Sequence, residues 1–247
     1  MRGYRVADNI DIFPGGAALL LDANALVVAD LHLGYEAALE YEGLSIPRVQ
    51  TRKIEQYLKD VIDDVRPSKL IVAGDLKHNF SRNLTQEWED VERFVKLLNG
   101  RVGLEVVKGN HDNYLGLMFG GLRIPLVSEA NCSGVRILHG HKGTLTEGVT
   151  VMGHIHPSIR LGDGVGASLK NHCFLFEPML KILVLPALSL ISPGTDVIGQ
   201  VWSDGVSPLL PETGLSTFEP IAFSGSKPLR FPPVAELRKM RQRDQAH

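Results

Sequence analysis

Several short apolar runs in this chain end abruptly in a polar motif, and that repeated punctuation limits the folds open to it. Ala25-Leu26-Val27-Val28-Ala29 runs into Asp30-Leu31-His32. Lys69-Leu70-Ile71-Val72-Ala73 runs into Gly74-Asp75, and Leu104 to Val107 into Gly109-Asn110-His111-Asp112. Val135-Arg136-Ile137-Leu138 meets His139-Gly140-His141, and Thr150-Val151-Met152 meets Gly153-His154-Ile155-His156. Short runs rich in Val, Ile and Leu read as strands, and those without polar alternation as strands buried on both faces. A chain built this way gathers its polar residues at strand ends, where open α/β folds collect their ligands.

Between the early runs lie helical stripes. From Val49 to Val65 the apolar positions are Ile54, Tyr57, Leu58, Val61, Ile62 and Val65, and Arg66-Pro67 ends the pattern. Gly34 to Glu42 reads as a short helix. A further helix is predicted from Thr85 as N-cap, with Trp88, Val91, Phe94, Val95 and Leu98 on its buried side and Asn99-Gly100 at its end. Ala17 to Leu21 and Ala25 to Ala29 flank Asp22-Ala23-Asn24 as a hairpin. The first 112 residues therefore alternate strand and helix, an α/β layered pattern. Beyond them Cys173 to Phe176 and Lys181 to Leu185 add strands between Gly- and Pro-rich turns, so this half reads as mostly β. The expected organisation is one domain over residues 1–200 and a C-terminal extension over 201–247, packed on the same domain.

Composition excludes several classes. A hydrophobic share of 44% and a charged share of 22% are those of a globular chain, not of a disordered or collagen-like one. No apolar run approaches the roughly 20 residues needed to span a bilayer. The two arginines near the N-terminus are not followed by the apolar stretch of a secretory signal. Two cysteines, Cys132 and Cys173, make no disulfide framework and point to a reducing cytoplasm. With 26 Lys+Arg against 28 Asp+Glu the net charge is −2, which gives no whole-molecule attraction to nucleic acid or membrane. The basic residues are unevenly placed, however. Lys227, Arg230, Arg238, Lys239, Arg241 and Arg243 are opposed between residues 227 and 243 only by Glu236. They read either as a solvated terminal helix or as a contact with a phosphate backbone.

The motif residues are of metal-binding type. In extended backbone, residues i and i+2 point to the same side, so Asp30 with His32 and His154 with His156 can each present two donors together. Carboxylate, imidazole and an amide carbonyl suit Mn²⁺, Fe or Zn²⁺ better than Ca²⁺ or Mg²⁺. The donors outnumber the four of a structural zinc site. Two metals about 3.5–4 Å apart, sharing a carboxylate, would use them all and would activate a water against a phosphate. Taken singly, an Asp-x-His or a Gly-Asp is common by chance; the ordered set, each member after a strand, is not.

In that order and spacing the motifs resemble the calcineurin-like metallophosphoesterase superfamily. Ala29 to Glu36 and Gly74-Asp75-Leu76-Lys77-His78 look closer still to the archaeal phosphoesterases related to the bacterial SbcD nuclease. They are also similar to the manganese-dependent DNA endonuclease encoded beside a helicase and a ligase in damage-response operons. The resemblance implies a four-layer α/β/β/α sandwich of two mixed sheets with helices outside. It implies two divalent ions, Mn²⁺ first and Fe or Zn²⁺ as alternatives. Asp30, His32 and His156 would hold one ion, and Asn110, His139 and His154 the other, with Asp75 bridging. In the His139-Gly140-His141 motif it favours His139 as the ligand. His111 would act as acid toward the leaving oxygen, and Asp112 would orient it. Lys77, His78 and His141 would contact substrate; His172 and His247 carry no motif.

The implied activity is phosphodiester hydrolysis by a two-metal-activated hydroxide, with DNA as substrate in a repair setting. A helicase or ligase partner is implied by the resemblance alone, and a homodimer is compatible with it. The motifs specify a reaction centre and not a substrate, so a small-molecule phosphodiesterase or nucleotide phosphatase stands as the alternative. The arginine of the Gly-Asp-x-x-Asp-Arg-Gly phosphatase pattern is missing after Asp75, which disfavours a protein phosphatase. A non-enzymatic scaffold ranks last, because every ligand position is filled.

Overall fold

The computed structural model describes residues 2–80, 84–162, 168–199, 206–211 and 213–244; His247 lies outside them. The first half contains strands β1 (Tyr4–Ala7), β2 (Ile10–Ile12), β3 (Ala18–Leu20), β4 (Ala25–Val28), β5 (Lys69–Ala73), β6 (Gly103–Val107) and β7 (Leu126–Val127). They form one sheet in strictly sequential order. β1 to β4 are antiparallel neighbours, and β4 to β7 run parallel. The parallel steps from β4 to β6 require crossovers. Helices α1 (Tyr35–Tyr41) and α2 (Gln50–Val65) make the first, and α3 (Thr85–Leu98) the second. The short α4 (Leu115–Met118) precedes β7.

The second half contains β8 (Ala130–Cys132), β9 (Val135–Leu138), β10 (Val149–Met152), β11 (Pro157–Gly162), β12 (Ser168–His172), β13 (Phe174–Glu177), β14 (Ile182–Val184), β15 (Thr195–Asp196), β16 (Glu219–Ser224) and β17 (Lys227–Arg230), then helix α5 (Val234–Asp244). A second seven-stranded sheet has the order β17-β16-β13-β14-β10-β9-β8. β10 lies parallel to both β9 and β14, and the other pairs are antiparallel. A small third sheet orders β12-β11-β15. Residues 219–230 thus supply the edge strand β17 and its neighbour β16 in the second sheet.

Three apolar layers hold these parts together. Alternate side chains of β4 and β5 go to opposite faces. Leu26, Val28, Leu70 and Val72 pack against Ile54, Leu58 and Val61 of α2 and Val91 and Phe94 of α3. Ala25, Val27, Ile71 and Ala73 face Ile137, Val151, Phe174 and Leu183 of the second sheet. That is why these strands read as unbroken apolar runs: neither face meets water. The far side of the second sheet, with Leu138, Met152, Leu175 and Val184, is covered by Ile159, Leu209, Leu215, Phe218 and Val234. The architecture is the expected mixed α/β sandwich of two large sheets with helices. The outer cover of the second sheet is drawn from the small sheet, a loop and the start of α5.

Two details of α3 differ from the sequence reading. Thr85 is its first residue, not its cap; Leu84 takes the cap position and makes no side-chain cap bond. Trp88 is 38% exposed, while Gln86, Glu87 and Asp90 are buried. Buried polar groups override the apolar stripe here because Glu87 has a charged partner inside, described below. Among the described residues, no helix is long and apolar enough to cross a membrane.

Candidate metal centre

The loops after β4, β5 and β6 rise at the same edge of the first sheet, and those after β9 and β10 meet them from the second. Asp30 N donates to the Gly74 carbonyl at 3.0 Å, and His32 N to the Asp75 carbonyl at 3.0 Å. Gly153 N donates to the His139 carbonyl at 3.0 Å. Two glycines permit this crowding. A Cβ on Gly109 would lie 2.1 Å from Asp75 Oδ1, and one on Gly74 2.2 Å from His139 Nδ1. Each motif's glycine therefore makes room for a ligand of another motif.

The backbone that presents the donors is not extended. Asp30 (φ 55°), His32 (φ 48°), Asp75 (φ 51°), His154 (φ 72°) and His156 (φ 49°) all take left-handed conformations. They make up five of the ten described non-glycine residues that do so. The expected i, i+2 alignment on a strand is thus replaced by tight left-handed turns. Such backbone costs about 1–3 kcal/mol per residue and persists only where surrounding contacts enforce it. Its concentration at one place is a mark of function.

Two sets of donor atoms share Asp75. His139 Nε2 lies 3.0 Å from Asn110 Oδ1, 3.2 Å from His154 Nδ1 and 3.4 Å from Asp75 Oδ2. His156 Nε2 lies 3.3 Å from His32 Nε2 and 3.3 Å from Asp30 Oδ1. His32 Nε2 is 4.0 Å from the same Asp75 Oδ2. Donor atoms of Asp30, His32, Asp75 and His156 all fall within 4.8 Å of one another. His139 Nδ1 donates to the Ala73 carbonyl at 3.1 Å. A carbonyl only accepts, so in the neutral ring Nε2 carries the lone pair and turns it toward the cluster. His139, not His141, makes these approaches. His141 stands behind it, ring centres 5.2 Å apart, with a buried Nδ1 that has no hydrogen-bond partner among the described residues.

The charges call for cations. Asp30 and Asp75 are buried, and Asp30 Oδ1 faces His156 Nε2 at 3.3 Å. Burial alone would raise both carboxyls; His156 beside Asp30 and His139 beside Asp75 outweigh it and hold them below the usual range. Burial opposes a proton on His139, but Asp75 and Asp30 lift it to about 9. His32 and His154, whose burial dominates, fall to about 4. Two ionised carboxylates among inward-facing imidazole nitrogens and an amide oxygen fit divalent ions of borderline softness.

His111 stands at the rim. Its backbone N–H donates to Asp75 Oδ1 at 2.9 Å, and its Nε2 is 4.0 Å from Asp75 Oδ2. Its Nδ1 donates to the His78 carbonyl. That carbonyl sets the ring and leaves Nε2 on the side of Asp75. Asp112 does not orient His111, as the resemblance implied. It is buried, accepts Gly109 N–H at 2.8 Å and Lys77 N–H at 3.3 Å, and so ties two ligand loops together. Burial, with the charge of Asp75, raises it to about 6.

Lys77 is also placed otherwise than a substrate contact would be. It has no exposed surface and pairs with Glu87 at 3.4 Å, both side chains fully buried. Its Nζ also donates to the Asn79 carbonyl, and Asn79 N–H to Glu87 at 2.6 Å. The pair braces the loop after β5 against α3. His78 does face the site: its Nδ1 is 3.4 Å from His32 Nδ1 and its ring stacks on Tyr35 at 3.7 Å.

A buried relay was not legible from the motifs. Gln50, at the start of α2, donates to the His32 carbonyl at 3.0 Å, and its N–H donates to Glu36 at 2.8 Å. Ser189 donates to Gln50 Oε1 at 2.6 Å, and Ser192 N–H to Ser189 Oγ at 3.1 Å. Ser192 Oγ contacts His156 Nδ1 at 2.9 Å. His172 sits under the same loop, with ring nitrogens 3.2 Å from the Ala187 and Ser192 carbonyls. The chain thus connects His32 to His156 through uncharged side chains. The only hint in the sequence was a glutamine at a helix start.

With this geometry in hand, sequence comparison decides the family. The profile of the calcineurin-like phosphoesterases matches residues 23–171, more than half of the chain. The chain belongs to that family. The matched span runs from β4 through all five motifs. Comparison with the curated proteins finds no significant match. Among solved structures, this phosphoesterase is similar to the Pseudomonas putida nuclease MPE, with a TM-score of 0.65 and 20% identity over 89% of this chain and 94% of that one. It also matches Yfce, a phosphoesterase from E. coli, at a TM-score of 0.39 and 16% identity over 85% of this chain and 98% of that one. The first likeness supports the fold.

Proposed function

We propose that this phosphoesterase hydrolyses phosphodiester bonds with two divalent ions, Mn²⁺ foremost, and that its substrate is DNA. The observation that carries the reading is the approach of two donor sets to one Asp75 oxygen, 3.4 Å from His139 and 4.0 Å from His32. Asp30, His32, Asp75 and His156 would hold one ion, and Asp75, Asn110, His139 and His154 the other. When bound, such a pair supplies Lewis acidity to the phosphate and a nucleophilic water. The protein's own part is to fix the donors through the Ala73 carbonyl and Ser192, and to deliver a proton from His111 Nε2 to the departing oxygen. His78 and His141 flank the phosphate.

DNA is favoured over a small ester by the branch resemblance at Ala29 to Glu36 and Gly74 to His78; the structurally similar Pseudomonas protein is a nuclease. On this reading the protein acts in DNA repair in the cytoplasm, its cysteines free, beside a helicase or ligase and as monomer or homodimer. Residues 201–247 are an extension of the 1–200 catalytic domain. One observation favours the small-ester alternative: Arg230 and Arg241 of the basic C-terminal segment are ion-paired to Glu219 and Asp196. Purified protein with Mn²⁺ is to be offered labelled single-stranded and duplex DNA beside bis(4-nitrophenyl) phosphate. Strand cleavage is the expected result. Brisk turnover of the small diester with intact DNA would sink the nuclease reading and leave the hydrolase.

A further inference from the structure

Next to the donor cluster the surface opens into a hollow of about 390 Å³, lined among others by Tyr41, Glu42, His78, Asn79, Phe80 and His111. Two of its walls are large rings left open to solvent: Phe80 is 56% exposed and Tyr41 67%. Exposed aromatic surface gathered around a concavity marks a binding site. Further rings adjoin the hollow. Tyr35 lies flat on His78, tilted by 13°, and His78 is roughly parallel to His111, 29° apart at 5.5 Å. Phe80 stands edge-on to His111 at 6.3 Å. His111 belongs both to this hollow and, through Asp75, to the donor cluster. A group seated in the hollow is therefore the neighbour of a phosphate seated on the donors.

We propose that the hollow is a nucleobase subsite, in which Phe80 and Tyr41 take the flat faces of the base next to the scissile phosphate. The inference rests on the phosphodiesterase reading above and names the substrate's form. Aromatic walls accept any base by its π-face, at about 1–3 kcal/mol per stacked base. A base turned into a hollow has left its partner strand.

The test compares an oligothymidylate with an abasic oligomer of equal length, both cut by the full chain with Mn²⁺. The intact strand is expected to be preferred about tenfold or more. Phe80→Ala and Tyr41→Ala should each pull that preference toward unity, and Phe80→Trp should keep it. Melting curves and metal content report whether each variant is folded. If Phe80→Ala is not, Phe80→Leu keeps the bulk without the ring and gives the reading. Equal cutting of both oligomers by the wild-type chain overturns the subsite and leaves the nuclease standing. If no DNA is cut, the nuclease reading fails by itself, and binding decides the subsite. Quenching of a 2-aminopurine nucleotide by the wild type, lost in the Phe80 variant, upholds it; no quenching overturns it.

Discussion

The two large sheets meet at one donor cluster but bring different chemistry to it. The first sheet, through the loops after β4, β5 and β6, brings Asp30, Asp75 and Asn110 with His32 and the rim residue His111. The second, through the loops after β9 and β10, brings only imidazoles: His139, His154 and His156. All the negative charge comes from one half and most of the imidazole nitrogen from the other. The halves also place their donors differently. Sequential parallel strands set three loops of the first sheet side by side. In the second, β10 lies between β9 and β14, so its two donor loops are neighbours only because β9 and β10 pair in parallel. On the proposed assignment, neither half supplies all the donors of either ion. The apolar layer between the sheets is therefore as necessary to the centre as any ligand.

The contrast can be broken by substitution. If the first sheet supplies the anchoring charge, Asp75→Asn should cost on the order of a thousandfold in turnover or more, because both donor sets lose their shared carboxylate. His139→Asn should cost about a hundredfold, since one neutral donor is exchanged. Bis(4-nitrophenyl) phosphate turnover with metal content per chain measures both, and equal losses would erase the asymmetry. A second change tests whether the first half has its own internal brace. Lys77→Met leaves Glu87 buried without its charged partner and should destabilise the fold by about 3–5 kcal/mol in denaturant titration. Adding Glu87→Met should restore most of that. A Lys77 variant as stable as wild type would show the pair to be dispensable.

Smaller effects probe the join between halves. Gln50→Ala cuts the relay between the His32 carbonyl and the loop holding His156. Metal affinity should fall about 10–100-fold with the fold intact, as read by chelator competition. An unchanged affinity would mean that the two loops are set independently. The last effect is a pH dependence. His139 is raised from 6.5 to about 9. Its proton therefore stabilises metal-free protein fully below pH 6.5, and that stabilisation is lost as pH rises toward 9. Metal must displace the same proton, so affinity should rise across that window. Metal-free protein growing more stable from pH 6.5 to 9 would contradict the charge arrangement.

Much of this was legible beforehand, for identifiable reasons. β4, β5, β9 and β10 were visible because burial on both faces demands unbroken apolar runs. The donors were visible because Asp, His and Asn gather after those runs beside glycine. Less visible were β1 and β2, whose short mixed segments Tyr4–Ala7 and Ile10–Ile12 carry no such run. The small third sheet was also missed. Trp88 misled because an aromatic on a helical stripe is usually core, yet the Lys77–Glu87 pair claimed the interior. The paired arginines of the C-terminal segment could not be seen, since Glu219 and Asp196 are distant in sequence.

The amino-acid order by itself determined which residues could ligate and that a layered α/β fold would present them, because strand periodicity and side-chain chemistry are local properties. Only the tertiary structure decided how they act together. It turned Asp30, His32, Asp75, His154 and His156 into left-handed turns and set the His139 ring among the other donors. It buried Lys77 and handed the orientation of His111 to a backbone carbonyl. Each of these depends on a contact between segments far apart in the chain. Such contacts become favourable only once two sheets have closed on a common apolar layer and water has left the space between them.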